Sequence, residues 1–355
     1  MKKILVVAES IDVEDSSGTK GRVALIKNLY KAGFELQVYH YTRKNIELKN
    51  IPCHAIRENR RSLLFFLSRL ERYLRYWFKL KVYKQIEQAF GFSFTLFNDR
   101  RDFDPDMVLT LSKGGSYRPH HALLKLPGWH SKWVAYIHDP YPFACYPRPY
   151  DWVEPGYLKK RKFFLKLGEK ASHIAYPSKL LAELMESYYA PMRGKRLIIP
   201  HQTFESDTTA INLPAYFKNN AFSLVHAGTL LGPRNPRSLI KAFQKFIQEN
   251  PEAADHSQLI FIGRKSKYSK EFKEVMQVFP QFYSTEAYIP FSKVLAIQNN
   301  AAVNIILFCR ENFLTVFRQV NQFCYWALIT ASLKDYWEMI IPGGVRLMMR
   351  IKYLL

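Results

Sequence analysis

Short unbroken apolar runs alternate along this chain with longer stretches in which apolar residues recur every three or four positions. The first rhythm predicts strands buried on both faces, and the second predicts helices that cover them. "KILVVAE" (3–9) reads as a first strand, "GRVALIKNLYKAG" (21–33) as a helix closed by Gly33, and "ELQVYHY" (35–41) as a second strand. That order opens a parallel, doubly wound sheet. "DMVLTLS" (106–112), "KWVAYIH" (132–138), "HIAYPS" (173–178) and "RLIIPH" (196–201) supply further strands. The polar linker "QTFESDTTAINLPAYFKNN" (202–220) then marks a boundary, which gives domains 1–200 and 201–355.

The second half restarts the pattern. "FSLVHAG" (222–228) is a strand, "PRSLIKAFQKFIQEN" (236–250) a helix, "QLIFIG" (258–263) a strand and "YSKEFKEVMQVF" (268–279) a helix. "STEAYIP" leads to a helix over "FSKVLAIQNN" (291–300) and a strand over "AAVNIIL" (301–307). The fold class is therefore α/β, with two Rossmann-like domains facing a cleft. After about residue 308 the chain loses the period of either a helix or a strand. The second domain reads as incomplete, with poor order over 309–355, as a reading-frame change would leave it.

Composition narrows the partners. At 355 residues with 48% hydrophobic content the chain can bury two cores, which excludes a disordered protein. A formal net charge of +22 points to anionic partners: phosphorylated substrates, nucleic acid or lipid headgroups. Cys53, Cys145, Cys309 and Cys324 are scattered without metal-ligand spacing, and they read as reduced cytosolic thiols. No group of Asp, His or Cys suggests a metal. The apolar run of "MKKILVVAES" is too short for a signal segment, and no run reaches the roughly 18 apolar residues of a spanning helix.

Three stretches carry candidate chemistry. In "HAGTLLGPRNPRSLIKAF" (226–243), Arg234 lies in the turn ahead of a helix. Such a turn either holds an anion at a helix amino end or simply starts the helix at Pro236. "SSGTKGR" (16–22) fits a mobile phosphate or sugar loop, and an ordinary strand-to-helix loop equally well. "YIHDPYP" (136–142) ends a strand with His138 and Asp139, on the side where α/β sheets bind ligands; a plain turn pair is the alternative. The stretch 57–84 carries nine Lys/Arg against two Glu, with Leu63, Leu64, Leu67, Leu70, Leu74 and Trp77 at helical spacing. A basic amphipathic helix of this kind suits an anionic membrane surface. Packing on the first domain is the next reading, and nucleic acid the least favoured.

Through residue 308 the chain resembles the retaining glycosyltransferases of family 4, which have the GT-B architecture. The resemblance rests on "HAGTLLGPRNPRSLIKAF", "LIFIGRKS" and "AYIPFSKVLAIQNNAAVNIIL". It implies a nucleotide-diphosphate sugar as donor, a glycan or lipid-linked acceptor in cell-surface polysaccharide synthesis, and no metal. It also implies a peripheral, cytoplasmic-face location. By the resemblance, Gly228 is the strand-end glycine, Thr229 occupies the position of a phosphate-gripping Arg, and Arg234 that of a Lys. Arg237 is a further donor-side cation. His138 lies beside the donor sugar with Asp139 orienting it, and Gly18, Thr19 and Gly21 form a donor-side loop. Arg22 and Lys113 line the acceptor side. The family's two glutamates seven residues apart have no counterpart, because only Glu311 and Glu338 follow Glu286. A GT-B-shaped binding or assembly protein without catalysis is thus the alternative.

Overall fold

A computed structural model of the chain describes residues 2–42, 44–56, 103–113, 117–141, 157–202, 211–230, 235–307, 336–341 and 345–350. It divides between residues 204 and 205 into two compact units.

The amino-terminal unit is built on β1 (Lys3–Ala8), β2 (Glu35–His40), β3 (Cys53–Ala55), β4 (Met107–Leu111), β5 (Trp133–Tyr136), β6 (His173–Tyr176) and β7 (Arg196–Ile198). These strands pair in the order β3-β2-β1-β4-β5-β6-β7, every pair parallel. Alternation along each strand sends side chains to two cores. Leu5 and Val7 join Val108, Trp133 and Ile174 on one face, while Ile4, Val6 and Ala8 join Leu109, Val134 and Ala175 on the other. The described helices are α1 (Ser17–Lys31), α2 (Arg118–Leu123), α3 (Tyr157–Lys170) and α4 (Lys179–Tyr188). Ser178 starts α4, its hydroxyl accepting from the Leu181 amide at 3.2 Å.

The carboxy-terminal unit holds β8 (Phe222–Ala227), β9 (Ser257–Ile262), β10 (Phe282–Thr285), β11 (Val303–Asn304), β12 (Tyr336–Ile341) and β13 (Val345–Arg350), in the order β10-β9-β8-β11-β13-β12. Its described helices are α5 (Arg237–Glu249), α6 (Ser269–Val278) and α7 (Phe291–Asn300). α5 buries Leu239, Ile240, Phe243 and Ile247, one helical face, against the sheet. Each such side chain contributes roughly 1.5–3 kcal/mol.

Two expectations meet a different outcome. β12 and β13 are strands within the tail that was read as lacking any strand period, and β13 pairs antiparallel to β11. The sequence between them, Pro342-Gly343-Gly344, is a strong turn signal, so this hairpin needs no crossover helix. The expected poor order over 309–355 otherwise falls outside the described residues, as does the stretch 57–84. The second difference is α1, which begins at Ser17 and takes in Gly18, Thr19, Gly21 and Arg22. These residues are helix and not a loop.

Candidate functional site

In the amino-terminal unit, polar side chains gather at the carboxyl ends of β1, β4, β5 and β7. His138, two residues past β5, is buried and its Nε2 lies 3.0 Å from Asp139 Oδ2. That contact assigns the proton to Nε2, leaving Nδ1 buried with no partner among the described residues. Asp139 is the more open member of the pair, its side chain 37% exposed. Burial alone would raise its carboxyl pKa. The His138 hydrogen bond, with His138, His201 and Arg22 nearby, outweighs that and holds it below the usual value. Burial, helped by His138, lowers His201, and Asp139 opposes the shift.

Arg22, expected on the acceptor side, is instead buried at 3% exposure. Nη1 donates to Ser112 O at 2.8 Å and Nη2 to Thr19 Oγ1 at 2.6 Å. Burial brings its pKa down to about 10, against the pull of Glu9, Asp15, Asp139 and Tyr136, so it stays cationic at neutral pH. Thr19 is fully buried and also meets Ser16 Oγ at 3.0 Å. The two glycines stand at ordinary contact distances from their neighbours. A Cβ on Gly18 would meet Arg22 Nη1 at 3.4 Å and His138 Nε2 at 3.7 Å. One on Gly21 would meet Gln202 O and His201 Nδ1, both at 3.8 Å. The stretch that suggested a mobile loop is thus a helix start lying against the His138 strand end. Lys113, just past β4, is paired with Asp15 at 2.7 Å.

Sequence reading missed Glu9 and Arg118. Glu9 is buried at the end of β1, and Arg118 Nε donates to its Oε1 at 2.7 Å while the guanidinium sits 4.6 Å from the Tyr41 ring centroid. A carboxylate directly after an apolar strand run is the one signal that pointed to it.

The carboxy-terminal unit has an open cleft at the carboxyl ends of β8, β9 and β10. Gly228, Gly263, Arg264, Ser266 and Glu286 are among its lining residues. Gly228 adopts φ +154°, and a Cβ on Gly263 would collide with the Gly228 carbonyl oxygen. Glycine at 263 lets the two backbones pass so closely, and glycine at 228 suits the positive φ. Thr229 follows, half-buried. Arg237 opens α5 with its amide donating to Asn235 Oδ1 at 3.0 Å. Its guanidinium is already engaged, with Glu271 at 2.8 Å and the Tyr268 ring at 5.4 Å. Arg264, exposed on the cleft, has no ion-pair partner among the described residues. It was not singled out from sequence, although "IGRK" follows a strand as a phosphate-facing loop would. Arg234 falls outside the described residues.

Among the described residues, no group of three or more His, Cys, Asp or Glu could hold a metal ion, and no helix is long and apolar enough to cross a membrane.

Two doubly wound units, each with polar groups at the strand carboxyl ends, define an α/β protein of the GT-B fold. No protein-family model and no curated sequence matches the chain. Solved structures do. The trehalose-6-phosphate synthase OtsA aligns with a TM-score of 0.55 and 12% identity, over 86% of this chain and 78% of that one. A trehalose-6-phosphate protein of E. coli bound with UDP-2-fluoro glucose aligns at 0.53 and 11%, over the same shares. An α,α-trehalose 6-phosphate synthase of Burkholderia multivorans aligns at 0.52 and 11%, over 86% and 77%. At these identities the likeness is one of fold.

Proposed function

We propose that this protein is a retaining glycosyltransferase of the family 4 type, taking a sugar from a nucleotide-diphosphate donor. The observation that carries the reading is the Gly228–Gly263 cleft at the strand ends of the carboxy-terminal unit. The two glycines bring the ends of β8 and β9 together at the edge where α/β sheets bind ligands, in a fold that a UDP-2-fluoro glucose complex shares. Arg234 is the main cation for the leaving diphosphate, and Arg264 supplies the second charge that Thr229 lacks. Fixed cations stabilise the negative charge that develops as the glycosidic bond breaks, which requires no metal. Asp139, oriented by His138, takes the sugar side. The acceptor is a growing glycan or lipid-linked sugar of the cell surface, approached at the cytoplasmic face of the membrane with the basic stretch 57–84 on anionic lipid.

A titration of nucleotide diphosphates and their sugars, read by calorimetry, tests the reading. Arg234→Ala should weaken nucleotide binding by roughly 1.5–3 kcal/mol, the range for hydrogen bonds to charged groups. Equal affinity in variant and parent removes the anion site. The absent glutamate pair favours a second reading, a GT-B-shaped binding or assembly protein. Nucleotide binding with neither sugar transfer nor donor hydrolysis would select it.

A further inference from the structure

α3 carries an exposed face that nothing in the transferase reading uses. Its inner side is fixed. Phe163, Phe164 and Leu167 are buried in the core, and a Cβ on Gly168 would lie 3.0 Å from Met192 Cγ. At its carboxyl end Lys195 Nζ donates to Gly168 O at 2.7 Å, Glu169 O at 3.2 Å and Ala171 O at 2.8 Å. Lys160 is turned inward, 4.8 Å from the Tyr141 ring centroid. The opposite side presents Leu158, Arg161, Lys162, Lys166, Glu169 and Lys170 to solvent. Leu158, Lys162, Lys166 and Lys170 follow one another at four-residue steps, with Arg161 and Glu169 flanking that row on the solvent half of the helix.

Three features of that face point the same way. Its four cations have no ion-pair partner among the described residues, and Glu169 is its only acid. Lys162, Lys166 and Lys170 stand at successive four-residue steps, where like charges repel. A solvated face gains nothing from that arrangement, whereas an anionic surface relieves it. Leu158, 72% exposed, stands one turn from Arg161 and Lys162 at the same face's amino end. Polyanions in water offer a bare leucine nothing, but a lipid interface takes in the leucine beside its headgroups.

We infer that the outer face of α3 is a docking surface for an anionic phospholipid bilayer, separate from residues 57–84 and independent of whether the protein transfers sugars. The full-length chain is sedimented with vesicles of equimolar phosphatidylglycerol and phosphatidylcholine, and with phosphatidylcholine alone. Binding should occur only to the first and should fall with added salt. The triple replacement Arg161→Gln, Lys162→Gln, Lys166→Gln should weaken it about a hundred-fold, roughly five-fold per charge. The charge-preserving set Arg161→Lys, Lys162→Arg, Lys166→Arg should bind as the parent does, which separates lost charge from lost folding. Leu158→Ser should weaken the salt-resistant part of binding. Unchanged affinity in the triple variant overturns the inference, as does loss confined to Arg60→Gln, Arg61→Gln, Lys79→Gln. Loss of binding to single-stranded DNA with vesicle binding intact overturns it in favour of a nucleic-acid surface. Activity enters none of these readings, so failure here leaves the transferase reading standing, and the reverse holds.

Discussion

The amino-terminal unit gathers charged side chains at its strand ends, whereas the carboxy-terminal unit brings two backbones together there. In the first, Arg22, His138 and Glu9 are buried, and the partly exposed Arg118 and Asp139 pair with Glu9 and His138. In the second, Gly228 and Gly263 leave space, and the polar groups on the cleft, Arg264 and Glu286, are exposed. A buried ionic cluster is rigid and costly to disturb, because each charge has given up water for its partners. A glycine pinch is rigid for a steric reason alone. The first should respond to charge and pH, and the second to volume.

Volume gives the largest effect. Gly263→Ala places a methyl group on the Gly228 carbonyl, backbone that cannot step aside, and should cost about 3 kcal/mol in urea unfolding. Gly228→Ala meets only His226 Nε2, at 3.9 Å, and its cost is that of the positive φ, about 1 kcal/mol. If the two variants are equally stable, the pinch does not set the cleft.

Charge comes next. Arg22→Met removes both hydrogen bonds and the cation that faces Asp139, Asp15 and Glu9, and should destabilise the chain by about 3 kcal/mol. It carries a second signature. Asp139 has a lowered folded-state pKa, so its contribution is present above its ordinary value of 3.8 and is lost as pH falls through the folded value. Without Arg22 that pKa should rise, and NMR titration of the Asp139 carboxyl would read it. A carboxyl unmoved by the replacement would detach Arg22 from the pair.

The same contrast explains what the sequence made legible. The buried strands announced themselves, since parallel strands covered on both faces are nearly continuous apolar runs: "ILVVA", "MVLTL" and "LIFI" lie within β1, β4 and β9. β3 did not, having three half-buried residues, and neither did β10, whose only fully buried residue is Phe282. His138 and Asp139 were legible because a polar pair directly after an apolar strand sits at the ligand-binding edge. The helix start at 17–22 was not. Glycine disfavours a helix by its own propensity, and the neighbours of this helix start, His138, His201 and Gln202, are distant in sequence. Gly263 gives no sign of its role in the sequence, since its constraint comes from Gly228, just past another strand. Antiparallel closure by β13 and β12 was hidden too, because a hairpin at the end of a parallel sheet needs none of the preceding βαβ pattern.

A third expected effect lies in the amino-terminal unit, and only pH exposes it. His120 is fully buried on α2, its Nδ1 2.7 Å from Thr110 Oγ1, the same hydroxyl that accepts from Trp133 Nε1 at 2.8 Å. Its Nε2 has no partner among the described residues. Burial, with His121 and His138 adding to it, pushes its pKa from 6.5 down to about 3. Burial lowers His40 to about 4 as well. A depressed folded value means that the unfolded chain takes up the proton first. The stabilisation is therefore complete above pH 6.5 and is lost progressively as pH falls toward the folded value. One pH unit below 6.5, each such histidine accounts for about 1.4 kcal/mol of lost stability. His120→Asn keeps a donor for Thr110 but cannot titrate. Its stability should fall less steeply than the parent's between pH 6.5 and 4.5, by about 1.4 kcal/mol per unit, whatever its stability at neutral pH. No such limb is expected from the glycine pinch, so Gly228→Ala should run parallel to the parent across the same range. If His120→Asn runs parallel as well, the histidine is protonated in the fold and the hydroxyl network is assigned wrongly.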